Sequence, residues 1–169
     1  MNDKINTLIN NLAQDIIELY EIKIPINNIN EVVQKLGGTI EETTNISDSG
    51  IKKWNDRFVI YVPQLLSLKK RNFAIAHEIG HLFLHMGYSI NQDIWNKQKN
   101  LIYYKSFDVL EEYQANKFAS ALLMPENEYE KIMNQYTIGN KVDTRKIAEY
   151  FGVSVSTAYS RGKLLGLLV

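Results

Sequence analysis

Apolar residues recur at helical spacing at the start of the chain and predict an amphipathic helix over residues 3–20. The positions that share its apolar face are Ile5, Leu8, Ile9, Leu12, Ile16 and Leu19. A second helix is predicted over residues 30–36, because a Gly-Gly pair follows it directly. We expect both helices to pack on a core through these faces.

The pattern then changes to that of extended chain. Residues 39–44 are predicted to be a strand, and residues 50–54 and 57–62 form a hairpin signal around Asn55 and Asp56. Three apolar side chains alternate on one face of the second hairpin strand, namely Phe58, Ile60 and Val62. A small sheet is therefore expected before the middle of the chain.

Two further helices are predicted in the second half. Ser67 is a candidate N-cap for a helix that stops at Gly87. Asp108 can begin another helix, which Pro125 ends. Residues 87–107 show little periodicity, so we expect them to form a loop over a cleft. Helices, a small sheet and then helices again indicate the α+β class.

Composition limits the classes of protein that remain. The chain has 169 residues, 45% of them apolar, which is enough for one packed domain with a small appendage. The 19 basic and 19 acidic residues balance, so net charge gives no attraction to nucleic acid or anionic membrane. No cysteine is present, which excludes disulfides and thiolate metal sites. Without a signal-peptide or membrane-span pattern, we expect a cytoplasmic protein with no membrane partner.

All three histidines lie within nine residues, and the first five of these read H-E-x-x-H from His77 to His81. On a helix, residues four apart share a face, so His77 and His81 can bind one Zn²⁺ while Glu78 points at its water. The alternatives are a helix with ordinary satisfied polar side chains and a site that binds zinc without turnover. We favour a metal-dependent hydrolase with one zinc ion per chain.

A catalytic zinc site usually takes three protein ligands, so a third is needed. His85 lies roughly 12 Å from His77 along a straight helix and is not expected to reach the same ion. We expect it at the edge of the site, contacting substrate or hydrogen bonding to a ligand. The alternative is a histidine that merely ends the helix near its C-terminal dipole.

The predicted helix after Asp108 offers a better candidate. Glu112 and Asn116 share one of its faces, and neighbouring alanines would let it approach the histidine helix closely. We therefore predict Glu112 as the third ligand and Asn116 as a hydrogen-bond partner of a ligating histidine. Glu111 is equally well explained by helix capping.

These two motifs resemble those of the ImmA/IrrE metallopeptidases, H-E-x-G-H followed by E-x-x-A-[ND]-x-F-A-x-x-L-L-M-P. Here the second motif stands at residues 112–125, and the similarity extends from about residue 50 to the C-terminus. The resemblance implies a zincin-like fold of the Glu-ligand type, with His77, His81 and Glu112 on zinc and Glu78 as the general base. It also implies a helix-turn-helix repressor as the target, often encoded beside the protease in phages and other mobile genetic elements or in stress-response loci.

Two features of the cleft stay open at the level of sequence. The hairpin strand just before the metal helix, residues 57–62, is a candidate edge for an extended substrate. It can equally be an ordinary edge protected by the basic residues of the hairpin. Three tyrosines are candidate oxyanion donors, between which the sequence does not choose. They are Tyr61, Tyr103 and Tyr104.

The C-terminal segment reads as two short helices joined by a turn at Gly152, in the manner of a helix-turn-helix. From residue 141 onward, five basic residues stand against two acidic ones, which is a small excess for DNA binding. We expect these helices to serve the fold or to dock the substrate. A double substitution of Arg161 and Lys163 should then leave the fold intact.

The sequence therefore predicts a zincin-like metallopeptidase core over residues 1–140 and a helix-turn-helix-like segment over 141–169 packed on that core. The predicted activity is zinc-dependent cleavage of a peptide bond in a protein substrate, a transcriptional repressor in the first instance. The alternatives are a non-catalytic, zinc-containing regulator that binds DNA or a protein partner through its C-terminal helices, and a toxin-like protease.

Overall fold

The computed structural model describes residues 2–45, 48–100 and 108–169. Runs of helices are separated by runs of strands, and this order confirms the predicted α+β class. The helices of the described residues are α1 (Asn2–Leu19), α2 (Ile29–Lys35), α3 (Leu68–Leu84), α4 (Gln92–Lys97), α5 (Val109–Leu123), α6 (Glu126–Gln135), α7 (Thr144–Phe151) and α8 (Val155–Leu164). The strands are β1 (Gly38–Thr43), β2 (Gly50–Trp54), β3 (Arg57–Pro63), β4 (Thr137–Ile138) and β5 (Lys141–Val142).

The described residues form two compact units. One is the continuous stretch 28–119, and the other combines residues 2–27 with residues 120–169. The domain boundary predicted between residues 140 and 141 is not one of these divisions and stays a prediction.

Three strands in the order β1-β3-β2 form the sheet of the 28–119 unit. β3 runs parallel to β1 and antiparallel to β2, so it is the central strand. The expectation that this strand offers a free edge to substrate was wrong, because its backbone groups pair on both sides. β2 lies at one edge, and it pairs with β3 alone within the described part of the chain.

The core of this unit lies between the sheet and its helices. Phe58, Ile60 and Val62 alternate along β3, and each is at most 1% exposed, as the period of two predicts. α3 packs on β3 and β2, and α2 packs on β1. Helix α3 also carries the histidines and the glutamate described below.

Residues 87–107 are not all loop. Residues 92–97 form α4, which Asn91 caps by accepting a hydrogen bond from the backbone N–H of Ile94. Trp95 in this helix is buried, and its ring lies edge-on to Tyr88. The prediction of loop throughout was wrong here, because burial of this tryptophan anchors the segment.

The second unit contains α1, α6, the short β4–β5 hairpin, and the α7–α8 pair. Gly152 ends α7 with a left-handed backbone (φ 66°), and Ser154 caps α8 by accepting from the N–H of Thr157. The predicted two helices with a turn at Gly152 are therefore present. Tyr129 of α6 donates to the carbonyl of Ala158 at 2.7 Å, which ties α6 to α8.

Arg161 has a different place from the one expected. It is 2% exposed, and its guanidinium donates to the carbonyl of Met124 at 3.0 Å and to Asn10 Oδ1 at 2.8 Å. These contacts argue against the expectation that replacing Arg161 together with Lys163 leaves the fold intact. A basic residue is normally expected at the surface. Arg161 instead donates hydrogen bonds to a carbonyl just after the end of α5 and to a side chain of α1.

None of the helices in the described ranges has the length and apolar character needed to span a bilayer.

Candidate metal centre and catalytic carboxylate

Helix α3 places the H-E-x-x-H motif in its second half. Ser67 caps its N-terminus by accepting from the N–H of Lys70, and His85 is its C-terminal cap residue. His77 and His81 lie one turn apart, with ring centroids 4.7 Å from each other. Glu78 and His81 are 3% and 1% exposed, so two groups of the motif are out of contact with bulk water.

Gly80 brings α5 close to this helix. A Cβ atom at Gly80 would lie 3.0 Å from Cα and 3.1 Å from the carbonyl oxygen of Ala115. A side chain at this position would push the two backbones apart by a few tenths of an ångström, so glycine permits their closest approach. Glu112 stands one turn before Ala115 on α5, so the close approach carries its carboxylate to the two histidines.

The donor atoms of the three residues converge. His77 Nε2 and His81 Nε2 are 3.0 Å apart, and the Glu112 carboxylate oxygens lie 3.4 Å from the first and 3.2 Å from the second. Zn²⁺ bonds of about 2.0–2.1 Å at tetrahedral angles put ligand atoms about 3.3 Å apart. The cluster therefore fits a single metal ion of that size.

The outer nitrogen of His77 is also bonded. Its Nδ1 lies 2.9 Å from Asn116 Oδ1, and because an amide oxygen can only accept, the imidazole carries its proton on Nδ1. The Nε2 lone pair then faces Glu112. Asn116 therefore lies against a histidine of the cluster and accepts a hydrogen bond from its Nδ1–H.

A family model for peptidase M78, described as the IrrE N-terminal-like domain, matches residues 38–162. The chain belongs to the peptidase M78 family. The resemblance found in the sequence is thus confirmed, and the His-His-Glu group fits the zincin-like arrangement expected for an M78 domain.

Among solved structures, a Mycobacterium tuberculosis transcriptional regulator is similar to this M78 chain, with a TM-score of 0.63 and 18% sequence identity. The match covers 94% of this chain and 50% of the other, so the M78 chain spans half the length of that regulator's chain. At this identity the likeness shows a shared fold. A comparison with curated proteins gives no match.

Glu78 is not one of the three residues whose donor atoms converge, and its hydrogen-bond partner is different. Its Oε1 accepts a hydrogen bond of 2.6 Å from the hydroxyl of Ser49, the residue just before β2. Burial raises the pKa of Glu78 to about 8, because an ionised carboxylate is poorly solvated there. The Ser49 bond opposes this rise, and the charge of Glu112 adds to it.

Burial acts on the histidines in the opposite direction, since it disfavours the imidazolium form. Together with neighbouring His77 and His85, it lowers the pKa of His81 to about 3, and burial is the largest of the three causes. Burial also lowers the pKa of His77, against the hydrogen bond with Asn116 and the charge of Glu112. Both imidazoles are therefore neutral at pH 7, the state that a metal requires of a ligand.

The remaining residues predicted for the site are His85 and three tyrosines. His85 contacts His81 and Gln114 through its two ring nitrogens, each at about hydrogen-bond length, 2.9 Å and 3.0 Å. Tyr61 lies in the central strand opposite Gly50, and its role as an oxyanion donor stays a prediction. Tyr103 and Tyr104 lie outside the described residues.

Sequence reasoning missed two residues that contact the site. Ser49 stands 29 positions before Glu78, and Gln114 stands 29 positions after His85. Neither separation has a local periodicity that would link the partners. Gln114 falls at an unspecified position of the second motif, and Ser49 falls before both motifs.

Proposed function

We propose that this protein is a zinc-dependent endopeptidase that hydrolyses a peptide bond in a protein substrate. The observation that carries the proposal is the convergence of donor atoms from His77 and His81 of α3 and from Glu112 of α5, beside the buried carboxyl group of Glu78. Membership of the peptidase M78 family supports the class of reaction. The assignment of these residues as ligands and base is part of the proposal.

The chemistry of the donor set favours zinc. Two imidazole nitrogens and one carboxylate oxygen are the ligands of a common class of catalytic zinc site, in which the fourth position is left for water. When bound there, zinc would supply the Lewis acid that activates this water and polarises the substrate carbonyl, and its charge would lower the pKa of Glu78.

Glu78 is the residue proposed to move the proton. Ser49 holds Oε1, which leaves Oε2 to take a proton from the attacking water and to pass it to the departing amide nitrogen. The carboxyl group can keep that proton between the two transfers because burial favours its neutral form. Ser49 fixes the rotation of the carboxyl group and thereby the direction of Oε2.

We propose the outer edge of β2 as the place where substrate binds. The strand begins at Gly50, next to the serine that contacts Glu78, so a peptide paired with β2 would run past the carboxylate. Backbone pairing holds peptides of many sequences in extended form. Lys53 at this strand turns away toward α4, where its Nζ donates to the carbonyl of Trp95 at 2.8 Å.

The substrate class proposed is a helix-turn-helix transcriptional repressor in the cytoplasm, as the family resemblance implies. The alternative regulator that binds DNA through α7 and α8 is less well supported by the structure. Of the basic residues that gave this segment its charge excess, Arg161 is buried and Lys146 pairs with Glu149 at 3.4 Å. Few cations then remain to neutralise phosphates.

The test is cleavage of the helix-turn-helix repressor encoded beside this gene, followed by intact-mass spectrometry. Zinc-loaded parent protein should give two fragments, and neither Glu78→Gln nor chelated parent should do so. Glu111→Gln is the matched control, since it removes a neighbouring carboxylate on α5 outside the cluster. Cleavage that persists in Glu78→Gln would reject the assigned base, and absence of cleavage by zinc-loaded parent would reject the repressor as substrate.

A further inference from the structure

A chain of three side chains extends from the candidate metal centre into the interface of α3 and α5. His81 Nδ1 lies 2.9 Å from His85 Nδ1, and His85 Nε2 lies 3.0 Å from Gln114 Oε1. His85 is half-buried at the end of α3, and Gln114 is half-buried on α5. The other end of the His81 ring, Nε2, faces His77 and Glu112.

The direction of each hydrogen bond follows from the end of this chain. The Gln114 oxygen can only accept, so the nitrogen of His85 that faces it carries the proton. Whenever the His85 ring is in its neutral form it has one N–H, which leaves Nδ1 as an acceptor. His81 Nδ1 must then donate to it, and the lone pair of His81 is on Nε2.

This order of protons matters because a free neutral imidazole exchanges between two tautomers. The hydrogen bond made by one ring nitrogen decides which nitrogen is left to bind a metal. For His77, the amide oxygen of Asn116 performs this task directly. For the more deeply buried His81, the imidazole of His85 stands between Nδ1 and the amide oxygen of Gln114.

We propose that His85 and Gln114 are positioning residues that hold His81 in the Nδ1–H tautomer, with its Nε2 lone pair directed at the metal position. This inference rests on the proposed function, in which His81 is a metal ligand. Gln114 orients His85, and His85 orients His81. Both nitrogens of His85 are occupied by this arrangement, so His85 acts through His81 and does not bind the ion itself.

The first test measures zinc affinity by competition with a chelator. His85→Ala removes the acceptor of the His81 proton and should weaken binding about 10–100-fold, the usual effect of losing such a partner. His85→Asn should recover most of the lost affinity, because an asparagine Oδ1 stands close to where the histidine has Nδ1 and accepts the same proton. Stoichiometry should stay at one ion per chain in all three proteins.

The second test needs neither metal nor substrate. ¹⁵N NMR of the metal-free parent should show His81 protonated on Nδ1, and His85→Ala should convert a large part of it to the Nε2–H form. Gln114→Met should act in the same direction by a smaller factor, because it leaves His85 Nδ1 in place. Gln92→Met on α4 is its matched control and should change neither the tautomer nor the affinity.

Thermal unfolding of each metal-free variant checks that the fold is retained, and Gln114→Met carries the test if His85→Ala does not fold. Two results would overturn the proposal. One is a His81 that is protonated on Nε2 in the metal-free parent. The other is a folded His85→Asn that binds zinc as weakly as His85→Ala. A parent that binds zinc and shows these effects without cleaving repressor would reject the proposed substrate and leave the positioning role standing.

Discussion

Replacing Glu78 by glutamine tests the electrostatics of the site apart from its chemistry. The amide keeps the shape of the side chain, and its oxygen can still accept the hydrogen bond from Ser49. The variant should retain zinc and lose cleavage. In the metal-free protein it should also become more stable than the parent as the pH rises.

The size of this effect follows from the pKa of Glu78, which burial raises from 4.5 to about 8. An acid whose pKa is raised by folding contributes stability below its unfolded pKa and loses that contribution as the pH rises through its folded pKa. One pKa unit corresponds to about 1.4 kcal/mol, so the metal-free parent should lose roughly 4 kcal/mol from this group between pH 4.5 and pH 8. Glutamine does not ionise and loses none of it.

Urea unfolding of both metal-free proteins between pH 5 and pH 8 measures this difference. The free energy of unfolding of the variant minus that of the parent should grow by about 1.4 kcal/mol per pH unit across most of this window. Glu130→Gln at an exposed position of α6 corrects for the loss of one formal charge. A difference between Glu78→Gln and parent that does not change with pH would refute the assignment of Glu78 as a buried, protonated acid.

Four further outcomes are expected. Glu112→Gln should lower zinc affinity sharply and Glu111→Gln should not; equal retention by both in metal analysis would exclude Glu112 as a ligand. Because burial lowers the pKa of both α3 histidines of the cluster, acid should release zinc with a midpoint below pH 6.5, measured by dialysis across a pH series; full retention at pH 3 would argue against imidazole ligands. Gly80→Ala should lower the free energy of unfolding, since the added Cβ would lie 3.0 Å from the Cα of Ala115. Overpacking costs about 1–3 kcal/mol against a gain of about 1 kcal/mol in helix propensity, and zinc affinity should fall with it. Arg161→Ala loses two charged hydrogen bonds of about 1.5–3 kcal/mol each. At about 2–4 °C per kcal/mol for a chain of this size, its melting temperature should fall by about 6–24 °C, whereas exposed Lys163→Ala should melt like the parent.

The parts of the site that the sequence could predict are those fixed by helical geometry. A spacing of four residues puts His77 and His81 on one face whatever the rest of the chain does. Glu112 and Asn116 share a face of α5 for the same reason, and the alanines nearby signal a close helix contact. These predictions require only that both segments are helices and that small side chains allow the two helices to pack closely.

The parts that could not be predicted depend on packing between distant segments. Ser49 contacts Glu78 from the start of β2, which lies at the edge of the sheet. The alternation of apolar residues predicts a strand but does not determine the order of strands in the sheet. For the same reason, the sequence did not predict that β3 also pairs in parallel with β1 and is therefore the central strand. Arg161 shows a second limit of sequence-based prediction. A charged residue is buried where it has hydrogen-bond partners, and those of Arg161 are distant in the sequence.

The discontinuous unit has a consequence for synthesis on the ribosome. Residues 28–119 leave it as one uninterrupted stretch, whereas α1 must wait for residues 120–169, 50 in all, before its unit can close. At about 5–20 residues per second this delay lasts about 3–10 s. During that time most of the unit to which Ile9, Ala13 and Ile16 of α1 belong, all three buried in the folded protein, has not yet been made. The nascent chain therefore carries an amphipathic helix without the rest of its unit, and chaperone binding should be greatest before residues 120–169 are made.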